Sequence, residues 1–147
     1  MRLWHQKLIP YLDRQRLLGQ HRECCALRGA GWGRPHATVN YVFDHEPAYL
    51  VAYHWLVLDE MLRRGYNPDK NWWNVDWRGN TIGGQPWCDY YAVQYYHGWA
   101  TPEGGGSIVY PEHNTEYLKE CINLLKEKNA PIDFKKAEEE LLNGNNL

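Results

Sequence analysis

The chain has 147 residues, of which 44% are hydrophobic, and this is enough to fold one domain without disulfide or metal staples. Its four cysteines follow no disulfide-framework spacing and no run approaches 18 apolar residues, which argues against a disulfide-stabilised secreted domain and a membrane-spanning helix. We therefore expect a monomer in the reducing cytoplasm, with no membrane partner.

The net charge of −2 is distributed unevenly along the chain. Residues 1–37 carry seven lysines and arginines against two acids, a local charge of +5. Residues 38–100 carry four basic residues against seven acids, and residues 101–147 carry five against nine. A basic first quarter on an otherwise acidic chain predicts one local surface for an anionic partner. Non-specific DNA binding should be weaker than in a uniformly basic protein.

The first predicted helix carries one acid among bases. Residues 1–12 predict an irregular lead-in, because Pro10 disfavours a continuous helix from the start. Asp13 is a suitable cap for a helix that runs to Arg28 and is stopped by the glycine that follows. Glu23 projects from the face opposite the apolar one, and by periodicity alone it fits a solvated helix face equally well. The apolar face consists of Leu17, Leu18, His21, Cys24 and Cys25.

The second helix is predicted to be the core helix. Before it, the glycine-rich residues 29–35 lack the lysine of a phosphate-binding loop and predict a turn with a basic edge. The longest apolar pattern of the chain then runs from Pro47 to Arg64, with Gly65 as its stop. His54 lies on the apolar stripe of this helix, where we interpret it as a hydrogen-bonded core histidine in preference to a ligand.

Residues 69–107 combine nine tryptophans and tyrosines with Gly, Asn, Asp and Pro, and show no steady helical period outside 89–96. We interpret them as an ordered insertion packed on the body of the protein, with some rings accessible. Stacking of these rings on bases is the functional alternative to local packing.

Two further helices complete the prediction. Asn114 caps a helix over 115–128, and Asp133 begins a short final helix that Gly144 ends. No strand pattern competes with these helices. The predicted fold class is all-α, a small bundle of three main helices plus a short C-terminal helix, with an aromatic-rich irregular insertion.

Three blocks of residues occur in a characteristic order. The first is Leu17-Leu18-Gly19-Gln20-His21-Arg22-Glu23. The second is His36-Ala37-Thr38 with Tyr41, followed by Asp59-Glu60-Met61-Leu62-Arg63-Arg64-Gly65-Tyr66-Asn67, and the third is Tyr110-Pro111-Glu112-His113. In this order they resemble the pyrimidine dimer DNA glycosylase family of the endonuclease V type. The resemblance covers most of residues 1–68 and 108–128 of the single expected domain. The insertion at 69–107 and the extension at 129–147 lie outside it.

The resemblance implies a DNA glycosylase with an associated AP lyase activity, acting on double-stranded DNA that contains damaged pyrimidines. In such an enzyme the α-amine of the chain attacks C1′ of the damaged nucleotide, displaces the base and forms a Schiff base that permits β-elimination. α-Amines titrate near ~8 and lysines near ~10.4, so an α-amine offers a larger unprotonated fraction at neutral pH. By the same match, Glu23 stabilises cationic character at C1′ and shuttles protons, and Arg22 holds phosphate or the lesion.

The amine is where the chain departs from the family. The family's initiator methionine is followed by a small residue and is removed, whereas Arg2 follows Met1 here and a large side chain normally blocks that removal. The catalytic residues are therefore predicted to be Glu23 with either Met1 or Arg2, and a retained Met1 places the amine about 3.5 Å further out. Further DNA contacts are predicted for basic residues of the first quarter, namely Arg16, Arg28, Arg34, His21 and His36.

Two alternatives accompany this prediction. A zinc site would begin from the HxxC step, but no second paired-ligand motif is present and we expect no metal or other cofactor. Its candidate ligands would be His21, Cys24, Cys25, His36 and Cys88. A cysteine nucleophile is disfavoured because buried adjacent cysteines are usually inert. The alternative from a different class is a non-catalytic nucleic-acid-binding module, which the net acidity favours and Glu23 disfavours.

Overall fold

The computed structural model describes residues 1–143, and this part of the chain is all-α, as predicted. The α-helices are α1 (Arg14–Arg28), α2 (Pro47–Arg63), α3 (Tyr90–Ala100), α4 (Thr115–Glu127) and α5 (Phe134–Glu138). Short 3-10 segments lie at Gln6–Tyr11, Asn40–Asp44, Lys70–Trp73 and Pro102–Gly104, and a π-helical turn lies at Glu139–Asn143. Among the described residues, β pairing is limited to an isolated bridge between Trp77 and Gly84.

The helix α2 is the centre of the fold, with α1 and α3 both packed against it. Eleven of its 17 residues are buried, and they are distributed around the helix. A helix that is apolar on most sides needs neighbours on most sides, which explains its central position. Pro47 occupies its first turn, and Gly65 follows its end with a φ of 84°, a backbone conformation that glycine adopts without strain. None of the helices within residues 1–143 has the length and apolar character needed to cross a membrane.

The helix α1 has the predicted bounds but a different inner face. Leu17 and Cys24 are buried as expected, and so are Gln20 and Arg28, which an apolar pattern does not select. Asp13 occupies the cap position without capping the helix through its side chain. Its carboxylate instead lies 3.2 Å from the guanidinium of Arg16. Two large polar side chains therefore enter the interior from α1. Gln20 bonds to the start of the chain, and Arg28 bonds to the segment after α2.

The aromatic-rich stretch contains a regular helix, where an irregular insertion was predicted. Asp89 caps α3 by accepting hydrogen bonds from the backbone N–H groups of Tyr91 and Ala92. His97 on its inner side lies 2.6 Å from the carboxylate of Asp59 on α2. The helix extends to Ala100, and its buried residues Val93 and Ala100 are seven positions apart, as helical periodicity requires. The many aromatic side chains obscure this period in the sequence. The bundle therefore has four main helices.

The lead-in also differs from the prediction, because Gln6–Tyr11 forms a 3-10 helix that includes Pro10. Pro10 costs this segment one backbone hydrogen bond, and the turn is closed after it by the N–H of Leu12, which donates to the carbonyls of Leu8 and Ile9. Leu8 and Ile9 on this segment are buried in the core.

The two C-terminal helices begin at the cap residues that the sequence predicts. The side chain of Asn114 accepts a hydrogen bond from the N–H of Tyr117 at 2.8 Å, and that of Asp133 accepts one from the N–H of Lys136 at 3.0 Å. The helix α5 is short because the chain passes into the π-helical turn. The predicted stop at Gly144 lies outside the described residues.

Candidate active site

The start of the chain is held by side chains from three helices. Glu23 on α1 accepts a hydrogen bond from the backbone N–H of Arg2, with 2.8 Å between Oε2 and N. Gln20, one turn earlier on α1, uses both ends of its amide. Its Nε2 donates to the carbonyl of Arg2 at 2.9 Å, and its Oε1 accepts from the N–H of Trp4 at 2.7 Å. The backbone of residues 2–4 is thereby fixed along α1.

The neighbouring elements complete this attachment. The hydroxyl of Tyr53 on α2 donates to the carbonyl of Trp4 at 2.6 Å, and that of Tyr117 on α4 donates to the carbonyl of Leu3 at 2.6 Å. His113 accepts a hydrogen bond from the N–H of Gln6 at its Nδ1. We call this set of side chains the N-terminal anchor; it consists of Gln20, Glu23, Tyr53, His113 and Tyr117. Buried backbone groups need such partners, and here side chains supply nearly all of them.

His113 works in the anchor as a neutral imidazole. Burial lowers its pKa to about 3, and burial likewise lowers the pKa of His5, which stacks on it, to about 4. Because Nδ1 accepts from Gln6, the proton of the neutral ring belongs on Nε2, which lies 2.6 Å from the hydroxyl of Tyr41. Through His113, the third block of the sequence resemblance therefore contacts the start of the chain.

Met1 lies beyond the anchor and is 43% exposed. Its α-amine is 3.5 Å from Nε2 of His36, and its carbonyl accepts a hydrogen bond from the hydroxyl of Thr38. The base nearest the amine of Met1 is therefore His36. The carboxylate of Glu23 pairs with the nitrogen of Arg2, one residue further along the chain.

The predicted DNA-binding residues separate into exposed and interior side chains. Arg22, Arg34 and His36 are exposed, and Nε of Arg34 donates to the carbonyl of Ala30 at 2.8 Å. Arg16 is partly exposed and paired with Asp13. The exposed residues lie on the same segments as Glu23 and the contact to Met1, namely α1 and the loop that follows it.

For Arg28 the prediction of a DNA contact is wrong, because the residue is fully buried. Its NH1 donates to the carbonyl of Trp72 at 2.8 Å, and its NH2 donates to the carbonyls of Asn74 at 2.8 Å and Trp77 at 3.1 Å. Burial lowers its pKa to about 10. Arg28 therefore fastens residues 72–77 to the end of α1, a role that its position on a predicted helix end does not reveal.

His21 also turns inward, and a DNA contact by its ring is not supported. Its Nδ1 lies 2.9 Å from Nε2 of His54, and its ring nitrogens are within 3.8 Å of the sulfur of Cys25. Arg28 donates to Nδ1 of His54 at 3.0 Å, so the proton of His54 is on Nε2 and is directed at His21. The interpretation of His54 as a hydrogen-bonded core histidine is confirmed.

The ligand set of the alternative zinc site is not brought together as a whole. Among the described residues, the group that could hold a metal ion is His21, Cys25 and His54, whose donor atoms lie within 4.8 Å of one another. The two facing imidazole nitrogens of this group already share a hydrogen bond, and the guanidinium of Arg28 adjoins them. Burial also raises the pKa of the Cys25 thiol to about 12, which disfavours the thiolate that a metal or a nucleophilic reaction requires.

Three members of the N-terminal anchor were missed by the sequence reasoning, namely Gln20, Tyr53 and Tyr117. A signal existed for Gln20, because it falls between Leu17 and Cys24 on the inner face of α1. A long polar side chain in that position needs an interior partner. For the two tyrosines no local pattern identifies a backbone carbonyl about 50 or more residues away.

Comparison with known proteins identifies the family. The family model described as pyrimidine dimer DNA glycosylase matches residues 1–74, half of the 147-residue chain. The chain belongs to the pyrimidine dimer DNA glycosylase family. This membership places it among DNA glycosylases and makes DNA the expected substrate. Searches of curated proteins and of solved structures found no match.

The matched range of this pyrimidine dimer DNA glycosylase family member includes the chain start, α1 and α2. It therefore contains Glu23, His36 and most of the N-terminal anchor. His113 and Tyr117, which complete the anchor, lie outside the matched residues, and so does α3.

Proposed function

We propose that this protein is a DNA glycosylase and AP lyase that acts on pyrimidine dimers or related damaged bases through an α-amine at the start of the chain. The observation that carries the proposal is the 2.8 Å hydrogen bond between Glu23 and the nitrogen of Arg2. It sets a carboxylate against the first backbone nitrogen that the anchor holds. Family membership supports the substrate class.

The nucleophile in this proposal is the α-amine of Arg2, exposed when Met1 is removed. While Met1 is attached, the nitrogen of Arg2 is an amide whose electron pair is delocalised and does not attack carbon. Removal of Met1 converts the same nitrogen into an amine already beside Glu23. Since Arg2 normally blocks that removal, the form of the chain start becomes the first quantity to measure.

The reaction follows from this placement. The amine attacks C1′ of the damaged nucleotide, the glycosidic bond breaks, and the base departs with the bonding electron pair and then takes a proton. The carboxylate of Glu23 accepts the proton that the amine loses, and it stabilises positive charge at C1′. Opening of the sugar gives a protonated Schiff base. Loss of a proton from C2′ then breaks the C3′–O bond, and the downstream strand departs with a 5′-phosphate.

The surrounding residues have supporting roles in the proposal. The N-terminal anchor fixes the position of the amine, so that little further ordering is needed when substrate binds. Arg22 and Arg34 contact phosphates, and His36 lies beside the chain start where the distorted nucleotide enters. A damaged nucleotide in a duplex has to leave the base stack for its C1′ to reach the amine.

The test is borohydride trapping on duplexes that carry a cyclobutane pyrimidine dimer or an abasic site, with peptide mapping of the adduct. An adduct on the chain's first residue supports the amine mechanism, and the fragment mass shows whether that residue is Arg2 or Met1. An adduct on an internal lysine would contradict it. Trapping on the abasic duplex alone would retain the lyase and reject the proposed base specificity.

A non-catalytic DNA-binding module is the second candidate, favoured by the contact between Glu23 and the Arg2 amide in the chain with Met1 in place. This candidate predicts that the lesion duplex binds and that no adduct forms with either end of the chain. The same trapping experiment, combined with a binding measurement on the same duplex, therefore separates the two functions.

A further inference from the structure

The outer face of α3 presents a row of large aromatic side chains to solvent. Tyr91, Tyr95 and Trp99 are 71%, 62% and 55% exposed. They are spaced four residues apart, so they follow one another along one face of the helix over about 12 Å. We call these three residues the aromatic row. Large aromatic residues are usually mostly buried, and a contiguous exposed set indicates a contact surface.

The aromatic row is not needed for the attachment of α3 to the fold. That attachment uses the opposite side, where Val93 and Ala100 are buried and His97 pairs with Asp59. The rings of Tyr95 and Trp99 instead lie side by side, with centroids 5.7 Å apart. Together with neighbouring residues of α3 the row lines a shallow open cavity of about 370 Å³.

The charges around the aromatic row are acidic. Residues 79–118 contain four acids and no lysine or arginine. Asp89 lies on the wall of the cavity, and Glu46 accepts a hydrogen bond at 2.7 Å from the hydroxyl of Tyr96, another lining residue. This hydrogen bond to Glu46 raises the pKa of Tyr96 to about 12. The carboxylates of Asp89 and Glu46 would repel a phosphate backbone, so base stacking at this surface is disfavoured.

We infer that the aromatic row is a docking site for a basic segment of a partner protein, whose arginine or lysine side chains lie over the three rings. The faces of aromatic rings attract cations, and nearby carboxylates add to that attraction. The site differs from the candidate active site, since none of the residues that line the cavity belongs to the N-terminal anchor. The inference therefore stands whether or not the proposed function is correct.

The spacing of the rings matches an extended segment. Four residues of helix rise about 6 Å, and alternate residues of an extended chain are about 6.6 Å apart. A peptide with basic residues at every second position therefore places one cation over each ring. A small free cation would be covered on one side only, because the cavity is shallow and its rings are more than half exposed.

The test uses the full chain and a peptide in which arginine alternates with serine, with binding measured by calorimetry. The matched control peptide carries citrulline, a neutral isostere, in place of every arginine. We expect binding of the arginine peptide, at least tenfold weaker binding of the citrulline peptide, and a loss of roughly two- to fivefold in Kd for each of Tyr95→Leu and Trp99→Leu. Both substitutions keep an apolar side chain but remove the ring.

The control variant is Gln94→Leu, because Gln94 is exposed on the same helix, does not line the cavity and hydrogen-bonds to Tyr90, outside the aromatic row. It should leave peptide affinity unchanged, and circular dichroism should show all three variants folded. Equal affinity for the citrulline peptide would overturn the inference, as would unchanged binding in Tyr95→Leu and Trp99→Leu. Weaker duplex DNA binding in those variants, or self-association lost in them, would assign the row to DNA or to a second copy and would equally overturn it.

Discussion

The start of the chain and the outer face of α3 depart from ordinary folding in opposite directions. Chain termini are normally the least constrained part of a domain, yet the backbone of residues 2–6 is held by buried and half-buried polar side chains from α1, α2 and α4 and by His113. Large aromatic residues normally fill the core, yet the aromatic row faces solvent. Both are therefore the places to look for function, the first for chemistry and the second for a partner.

The largest expected effect comes from Glu23→Gln, which removes the carboxylate from the candidate active site at the chain start. The amide keeps the shape of the side chain but neither takes up a proton nor carries negative charge. Strand cleavage should fall by roughly 10²- to 10⁴-fold, while duplex affinity stays equal or improves because a charge that repels phosphate is lost. Single-turnover cleavage and a binding titration measure the two quantities. Glu127→Gln, an exposed acid on α4, is the matched control, and unchanged cleavage in Glu23→Gln would remove Glu23 from the mechanism.

Two of the arginines of α1, Arg28 and Arg22, test the distinction between an arginine that stabilises the fold and one that contacts DNA. Arg28→Met leaves the carbonyls of Trp72, Asn74 and Trp77 without their donor and should lower the free energy of unfolding by about 3–5 kcal/mol. Arg22→Met, the same substitution at an exposed position, should change it by less than about 0.5 kcal/mol and weaken DNA binding instead. Urea unfolding and a salt-dependent binding titration distinguish the two. The reverse assignment of effects would contradict the structural role given to Arg28.

Gln20→Leu tests whether the anchor serves position as well as stability. The substitution leaves the carbonyl of Arg2 and the N–H of Trp4 unpaired, which should lower the free energy of unfolding by about 1–3 kcal/mol. Below the unfolding transition, the rate of Schiff-base trapping should also fall, by roughly tenfold, because the amine is no longer held in place. A stability loss with an unchanged trapping rate would restrict Gln20 to a structural role.

The last prediction is a loss of stability in mild acid. His5 and His113 have folded-state pKa values of about 4 and about 3, below the ordinary value of 6.5, so the unfolded chain binds protons first as the pH falls. The free energy of unfolding should be flat above about pH 6.5. It should decrease between pH 6.5 and pH 4 by at most about 1.4 kcal/mol per pH unit for each histidine. Urea unfolding across this range measures the slope, and His113→Asn should reduce it. A flat profile would show that these rings are not buried as neutral groups.

The sequence predicted the fold where local signals determine it. Gly29 ends α1, a first-turn proline and Gly65 delimit α2, and the Asn114 cap begins α4; each of these signals acts within one turn of the backbone. For α3 it indicated a helical period only over 89–96, because the aromatic residues obscure the pattern, and it missed the continuation to Ala100. It also failed for Arg28, since periodicity does not distinguish a solvated arginine from one that binds distant carbonyls.

The candidate active site was predictable only where a sequence motif marks a residue. Glu23 was selected by its resemblance to a family motif, and the family match over residues 1–74 confirms that resemblance. The anchor required partners from Tyr53 and Tyr117, which are distant in sequence. The contact between Glu23 and the nitrogen of Arg2 could not be derived from spacing, because it depends on how the 3-10 segment after the chain start directs the first residues back along α1.

In the proposed mechanism, catalysis uses the nitrogen of Arg2 that Glu23 holds. A comparison of two forms of the chain tests this most directly. A cleavable fusion yields one protein that begins at Arg2 and another that begins at Met1, and both are mixed with a pyrimidine dimer duplex and borohydride under single-turnover conditions. We predict rapid trapping by the form that begins at Arg2, and trapping that is slower by at least tenfold when Met1 is retained. Equal or faster trapping by the form that begins at Met1 would contradict it and would assign the chemistry to the amine beside His36.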